Sequence, residues 1–409
     1  MSVILDNMQL YSRVKTEKEI QAVSKRYPIV LLSGLFGVGK STLLASLARS
    51  SREAKPPVRI LHLDAEDYPD AASLLEATRA LGVGPSALFL DNADRCSGLS
   101  GALASIRSRY SASILLASRG GMALESALRE SFGPSFSRDF TVYRLQPLGY
   151  GEFIEATGLK ESRKTLDLYC KTGGLPQSLM IDPESADAAE FTRIRANSFI
   201  LTEIVEPNSI RNPSYLRELL SLIARFTGER MSARQASEAM AAKGITFSPQ
   251  SVLDYLGFCA RSSLLVPVPL LDIDKNRELD GADSWYFGDA GLRFAFSARE
   301  TRSELSRAEE NLLFLRLADD GWTVKKGRVG YGKHATEEIG FVCERNGTRS
   351  YAQIVPGSAT AGERMRSYEA LLAIRDAWPR YLLDAGADET ARDGIRRLSV
   401  RDALLRGLE

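Results

Sequence analysis

Short apolar runs alternate with longer amphipathic stretches over the first 150 residues of the chain. The apolar runs, rich in branched residues, predict five strands, at 28–33, 58–63, 87–91, 113–117 and 140–145. Helices are expected between them, at 42–49, 70–82, 98–109 and 121–132. Strands that alternate with helices indicate a doubly wound parallel sheet of the α/β class, which binds ligands at the carboxyl ends of its strands.

The first predicted strand leads directly into Gly34-Leu35-Phe36-Gly37-Val38-Gly39-Lys40-Ser41, a G-x-x-x-x-G-K-[ST] pattern between a strand and a helix. Its glycines let consecutive backbone N–H groups curl around phosphate oxygens. Lys40 is expected to bridge the β- and γ-phosphates, and the Ser41 hydroxyl to complete a Mg²⁺ shell. GTP stays open as an alternative to ATP. We assign to the nucleotide Gly34, Gly37, Val38, Gly39, Lys40, Ser41 and Thr42.

Three residues after the third strand bear on hydrolysis. Asp91 ends that strand, where it would order Mg²⁺ together with Ser41, or would simply cap the strand end. Asn92 follows where a hydrolysing ATPase usually carries a glutamate, and its amide cannot accept a proton. Asp94 either replaces that base through a rearranged loop or is a solvated loop acid. Slow or absent turnover is therefore expected.

Two further positions are candidates for sensing the γ-phosphate. Ser118 follows the fourth strand and is predicted to be a polar sensor, unless it is an ordinary serine at a strand end. Arg138 precedes the fifth strand and is a candidate to supply positive charge to a neighbouring active site, unless it is a plain surface arginine. His62 lies within an apolar strand and is interpreted as a core histidine.

Beyond Pro147 the pattern becomes rich in helices. A small helical lid is predicted over 148–210, with a sharp break at Gly173-Gly174-Leu175-Pro176 that either faces the nucleotide or is a plain turn. Three helices and a hairpin over 211–282 indicate a winged helix-turn-helix. The stretch 283–409 mixes a helix, three strands and a final helix at 363–377, as in a further α/β domain. The P-loop domain itself is placed at 1–147.

Composition narrows the range of partners. The chain has 53 Lys and Arg against 52 Asp and Glu, a net charge of +1, which excludes a strongly basic nucleic-acid coat. Only three basic side chains lie within 231–263, so an interdomain or protein-binding wing is favoured over one that binds DNA. Four scattered cysteines and two histidines argue against zinc. No secretory opening or run of 18 apolar residues is present, so a cytoplasmic protein without a membrane partner is expected.

The order of these elements resembles the bacterial and archaeal AAA+-type ATPases that carry a C-terminal domain similar to PD-(D/E)xK nucleases. The resemblance runs from about 13 to 405 and is strongest in the P-loop. It implies ATP and Mg²⁺ binding, a lid, a winged helix and a nuclease-like terminal domain. Its other carriers are Asp91, Leu145-Gln146-Pro147-Leu148, Glu152-Phe153, Gly173-Gly174-Leu175-Pro176, Tyr286, Asp289-x-Gly291-Leu292-Arg293, Glu310 and Glu338-Ile339-x-Phe341-Val342.

The chain departs from this family where chemistry would occur. The family usually has Asp-Glu at Asp91-Asn92, and Glu-Val-Asp-Phe at Glu338-Ile339-Gly340-Phe341. The strand around Gln353 supplies neither the acid nor the lysine that a nuclease needs, and without two carboxylates a metal has little to bind it. A nuclease-shaped scaffold without nuclease activity is expected.

Three functions remain in competition. The leading one is an ATP-dependent AAA+-type molecular switch, with slow ATP hydrolysis if Asp94 or a partner's residue positions water. The second is a nucleic-acid-associated ATPase that binds DNA through its winged helix. The third is a nucleotide-binding interaction platform that never hydrolyses. A protein partner or self-association is expected in each case.

Overall fold

The computed structural model describes residues 13–53, 58–119, 123–133, 138–297, 302–330, 337–357, 359–384 and 393–408. The chain divides into two compact units between Leu145 and Gln146. Sequence analysis placed this division two residues later. Among the described residues, no helix is both long and apolar enough to cross a membrane.

The first unit is built on a five-stranded parallel sheet, as the sequence predicted. Its strand order is β2-β3-β4-β1-β5, and every neighbouring pair is parallel. Each strand begins and ends within one residue of its predicted bounds. The strands are β1 Ile29–Ser33, β2 Arg59–Asp64, β3 Ser86–Asp91, β4 Ala112–Ala117 and β5 Phe140–Arg144.

Five helices accompany this sheet. The predicted helices are present, together with an N-terminal helix, α1, that precedes the first strand. Their bounds are α1 Val14–Arg26, α2 Lys40–Arg52, α3 Ala71–Ala77, α4 Leu99–Arg109 and α5 Ala123–Phe132. β1 is buried along its whole length, and Leu31, Leu90 and Leu116 are fully buried in one core. The apolar runs of the sequence thus form the centre of the unit.

The prediction of a core histidine at position 62 is wrong. β2 lies at the edge of the sheet, and its burial pattern shows no fully buried position. His62 is exposed on this strand. A strand at the edge of a sheet has side chains in contact with solvent, and the apolar sequence of the strand does not show whether it lies at the edge.

The second unit combines ten helices with a seven-stranded mixed sheet among its described residues. The sheet order is β12-β11-β10-β9-β8-β6-β7. The helices are α6 Tyr150–Thr157, α7 Arg163–Thr172, α8 Ala188–Ile200, α9 Pro213–Arg225, α10 Ala233–Ala241, α11 Pro249–Arg261, α12 Ala290–Phe296, α13 Arg302–Asp319, α14 Ala361–Leu372 and α15 Val400–Arg406. The strands are β6 Leu265–Asp272, β7 Arg277–Phe287, β8 Thr323–Val329, β9 Glu337–Arg345, β10 Thr348–Ile354, β11 Arg380–Asp384 and β12 Ile395–Ser399.

The three predicted regions 148–210, 211–282 and 283–409 all belong to the second compact unit. β7 spans the predicted boundary between 282 and 283, and β6 pairs in parallel with β8 through Leu270 and Lys326. Phe153 of the predicted lid, Tyr286 of the hairpin and Leu313 of the terminal region lie in one hydrophobic cluster. Because the hairpin continues the terminal sheet, these regions fold together rather than as separate domains.

The glycine break of the predicted lid is explained by a buried aspartate. Asp289, fully buried, accepts the N–H of Gly174 at 2.8 Å and that of Leu292 at 2.9 Å, which caps α12. A side chain at Gly173 would collide with the Asp289 carboxylate, and one at Gly291 with the Thr172 carbonyl oxygen. The Gly173-Gly174 break and the segment that begins at Asp289 therefore pack against each other in one contact.

We expect Asp289→Ala to lower the free energy of unfolding of the second unit by about 3 kcal/mol, because two buried backbone N–H groups lose their acceptor. Urea unfolding followed by tryptophan fluorescence measures this unit alone, since Trp285, Trp322 and Trp378 all lie in it. Asp280→Ala, on an exposed position of β7, is the matched control. An equal loss in both variants would contradict the role of Asp289.

Candidate nucleotide-binding site

The G-x-x-x-x-G-K-S segment forms a tight loop between β1 and α2. Gly34, Gly37 and Gly39 have φ values of 140°, 80° and 97°, which favour glycine at all three positions. Gly34 has a second reason, since a Cβ there would collide with the carbonyl oxygen of Leu145, just after β5. The neighbouring strand thus fixes where the loop begins.

The start of α2 is open toward this loop. Gly39 is its N-cap and provides no side-chain hydrogen bond, so first-turn N–H groups remain available to an anion. Lys40 is almost fully buried, and its Nζ donates to the carbonyl oxygens of Gly34 at 2.8 Å and Leu35 at 2.9 Å. The ammonium group is therefore already held over the loop. Ser41 is exposed and Thr42 half-buried, whereas the Val38 side chain is buried and can offer a ligand only its backbone.

Asp91 lies at the carboxyl edge of the sheet, as predicted. β4 lies between β3 and β1, and Asp91 pairs in register with Asp64, the last residue of β2. One Asp91 carboxylate oxygen accepts the N–H of Asn92 at 2.9 Å, and Asp91 forms no ion pair with a described residue. A carboxylate and the Ser41 hydroxyl are hard oxygen donors of the kind that Mg²⁺ prefers, so these residues fit that ion.

Asn92 is held by a residue that sequence analysis missed. Its side-chain Nδ2 donates to both carboxylate oxygens of Asp64, at 3.0 and 3.1 Å. Its backbone is left-handed, with φ of 49°, which asparagine tolerates better than most residues. Asp64 also accepts the N–H of Glu66 at 3.0 Å. The available signal was that an acid ends the second strand as Asp91 ends the third.

Asp94 and Ser118 both lie at the end of β4. Asp94 accepts the backbone N–H of Arg119 at 2.6 Å, and the Arg119 guanidinium lies 5.1 Å from the ring centre of Phe36 in the loop. Ser118 is buried, and its N–H donates to the Leu32 carbonyl at 3.3 Å. Asp94 is thus engaged in a contact with the loop after β4. Ser118 follows β4, which pairs with β1 and ends beside the P-loop.

Arg138 lies apart from these residues. It is exposed and directly precedes β5, whose amino end pairs with Ile29 at the start of β1. The P-loop follows the opposite end of β1. The structure therefore does not bring Arg138 to the site of its own unit, and its role toward a neighbouring site stays a prediction.

Comparisons with known proteins agree with this geometry. Residues 5–126 match the model of a family described as Novel STAND NTPase 5. None of the curated proteins matches the chain. The Walker-type ATPase PABY2304 of Pyrococcus abyssi is similar in structure, with a TM-score of 0.50 and 15% identity over 70% of this chain and 96% of that one.

A second solved structure is the ORC2 protein of Aeropyrum pernix in its ADPNP-ADP complexes. It has a TM-score of 0.42 and 14% identity, covering 77% of this chain and 97% of that one. At such identities the structural likeness concerns the fold alone. The family match and the shared fold support a P-loop NTPase family for the first unit of this chain.

Proposed function

We propose that this chain is an ATP-binding, AAA+-type molecular switch with slow or absent hydrolysis. The observation that carries the slow hydrolysis is the contact between Asn92 and Asp64, beside the P-loop. The matched family of STAND NTPases and the fold shared with a Walker-type ATPase support nucleotide binding.

In this proposal the loop and α2 bind the phosphates. Backbone N–H groups at the open start of α2 surround the β-phosphate, and Lys40 exchanges its two loop carbonyls for phosphate oxygens. Ser41 and Asp91 hold Mg²⁺, which neutralises phosphate charge when it is bound. The sequence and the site leave the choice between ATP and GTP to direct measurement.

Hydrolysis is slow in this proposal because the acids Asp64 and Asp94, near Asp91, are engaged in other contacts. Asn92 cannot take a proton from water, and its amide is directed to Asp64. Asp94 is engaged by the Arg119 N–H at 2.6 Å. A Michaelis complex that kept both contacts would hold the triphosphate without cleaving it, as the interaction-platform alternative also requires.

The switch itself would act through the loop after β4. Ser118 and Arg119 follow that strand, and Arg119 lies over Phe36 of the P-loop. A γ-phosphate that contacts Ser118 in only one arrangement of this loop would stabilise that arrangement over the other. Because Asp94 accepts the Arg119 N–H, a change in the loop after β4 would also move the segment after Asp91.

We also propose that the terminal region is a nuclease-like scaffold without nuclease activity. Gly340 occupies the expected aspartate position, and its N–H donates to Gln353 Oε1 at 2.6 Å. Glu310 accepts from Tyr286 at 2.7 Å and from Lys326 at 2.8 Å. No group of three or more potential ligands for a metal ion occurs among the described residues.

DNA binding through the three helices and hairpin over 213–287 stays the weaker alternative. Of the three basic side chains within 231–263, Arg234 pairs with Glu238 at 2.9 Å and Lys243 with Glu218 at 2.8 Å. These contacts with acids reduce the charge available to phosphates. A protein partner or self-association is instead part of the favoured proposal.

Lys40→Ala should weaken Mg·ATP binding at least about tenfold, because the charge-assisted contacts to phosphate oxygens are lost. Calorimetry of the full chain with ATP and then GTP measures this loss and the purine preference. Arg49→Ala, exposed near the other end of α2, is the control. Equal affinity in both variants would contradict a nucleotide at this loop.

Asn92→Glu should raise phosphate release at least about 100-fold if the rest of the site is assembled, because a general base is restored. The Asp64 carboxylate would face the introduced glutamate and raise its pKa, so the rate should climb with pH. Asp64→Asn in the same chain should shift that profile to lower pH. Asp64→Asn alone is the control and should give no gain.

Phosphate release over a range of pH distinguishes a slowly hydrolysing switch from a non-hydrolysing platform. No gain in either glutamate variant would mean that further parts of the hydrolytic site are missing, which favours the non-hydrolysing platform. Measurable release by the unaltered chain that Asp94→Asn abolishes would instead contradict slow turnover as an effect of Asn92.

Incubation of the protein with Mg²⁺ or Mn²⁺ and supercoiled DNA should leave the DNA intact, because Glu310 is engaged by Lys326 and the described residues contain no group of three or more potential metal ligands. Burial would raise the pKa of Glu310, but the Lys326 ammonium and the Tyr286 hydroxyl hold it below its usual range. Metal-dependent nicking that Glu310→Gln abolishes would overturn this prediction.

A further inference from the structure

A basic cleft of about 390 Å³ lies at the edge of the first sheet opposite the P-loop. The last turns of α1 and α4 and the segments that enter β1 and β4 form its walls. β1 begins at Ile29 beside this cleft and ends at Ser33 where the P-loop starts, so the two sites are separated by the length of the strand.

Among the described residues, four cations and no acid line the cleft. These are Lys25 and Arg26 at the end of α1 and Arg107 and Arg109 at the end of α4. None of them forms an ion pair with a described residue. Arg107 is oriented by a bond from its Nη1 to the Ala112 carbonyl at 3.1 Å, while the other three are exposed.

Helix termini alone do not account for this charge. Cations in the last turn balance the negative end of a helix, which amounts to about half an elementary charge for each helix. Two helices therefore offset about one of the four positive charges. The surplus of about three, gathered in a concave surface, is what an anionic ligand would neutralise.

A hydroxyl without a hydrogen-bond partner lies in the wall of the same cleft. Ser24 Oγ is inaccessible to solvent and has no hydrogen-bond partner, although Ser24 lines the cleft. Buried polar atoms without partners are uncommon in folded proteins. Tyr110 and the hydroxyl of Ser108 add further polar atoms to the wall.

We propose that this cleft binds a small anion with two or more linked phosphate groups, at a site separate from the P-loop. Its volume lies in the range of small-molecule sites, and arginine, lysine and serine are the side chains that recognise phosphate oxygens. Two or three linked phosphates carry a negative charge comparable to the surplus of the cleft. The inference does not depend on the proposed ATP switch.

Tripolyphosphate without Mg²⁺ is the probe, titrated by calorimetry into the full chain carrying Lys40→Ala, so that the P-loop contributes least. We expect binding that Lys25→Gln with Arg109→Gln weakens at least about tenfold. Ser24→Ala should leave the melting temperature unchanged, because the hydroxyl has no partner in the fold. Lys160→Gln with Arg366→Gln removes the same charge from exposed positions of the second unit and should have no effect.

Several results would overturn the proposal. These are no binding of tripolyphosphate, binding that the cleft variants leave unchanged, or an equal loss in the control pair. A long oligonucleotide that binds more tightly than tripolyphosphate and depends on Lys25 and Arg109 would identify a nucleic-acid backbone instead of a small ligand. Tripolyphosphate binding in the cleft of a chain that fails to bind ATP would leave this inference standing and refute only the nucleotide switch.

Discussion

The parallel pairing of β1, β4 and β3 is the constraint on which the candidate site depends. It brings the P-loop, Ser118 and Asp91 to one edge of the sheet although they are distant in sequence. The start of the loop is set more tightly still, because Gly34 packs against the carbonyl oxygen of Leu145 after β5. The loop and Asp91 are therefore positioned by β1, β3 and β4, which are buried along all or most of their length.

Hydrogen bonds at that edge engage the two acids nearest to Asp91 in sequence and register. Asp64 engages Asn92, and Asp94 engages the Arg119 N–H, so both acids near Asp91 serve the local backbone and side chains. Lys40 is already in place over the loop. In the proposed switch, the triphosphate would persist long enough for a partner to respond.

The second unit shows how packing explains motifs that look functional. A side chain at Gly173 would collide with the Asp289 carboxylate, and one at Gly174 with the Leu148 carbonyl oxygen. Gly228 leaves space for Glu310 and the Tyr286 hydroxyl. Arg293 is buried and donates to Thr227 Oγ1 at 3.0 Å and to the Ala224 carbonyl at 2.8 Å. These buried polar contacts join α9, α12 and α13, so the residues that carry the family resemblance here include structural ones.

The sequence alone determined the five strands of the first unit, the P-loop and the place of Asp91, because each depends on local pattern. Hydrophobic runs fix buried strands, and the loop chemistry is contained in eight consecutive residues, 34–41. It did not reveal β11 and β12, which are five residues each. Tertiary structure decided that His62 is exposed, that Asp64 holds Asn92, that Arg138 lies at the far edge, and that the hairpin β6–β7 joins the terminal sheet. These features depend on strand order and on contacts between residues that are distant in sequence. Such contacts produce no local pattern of hydrophobic and polar positions from which they could be predicted.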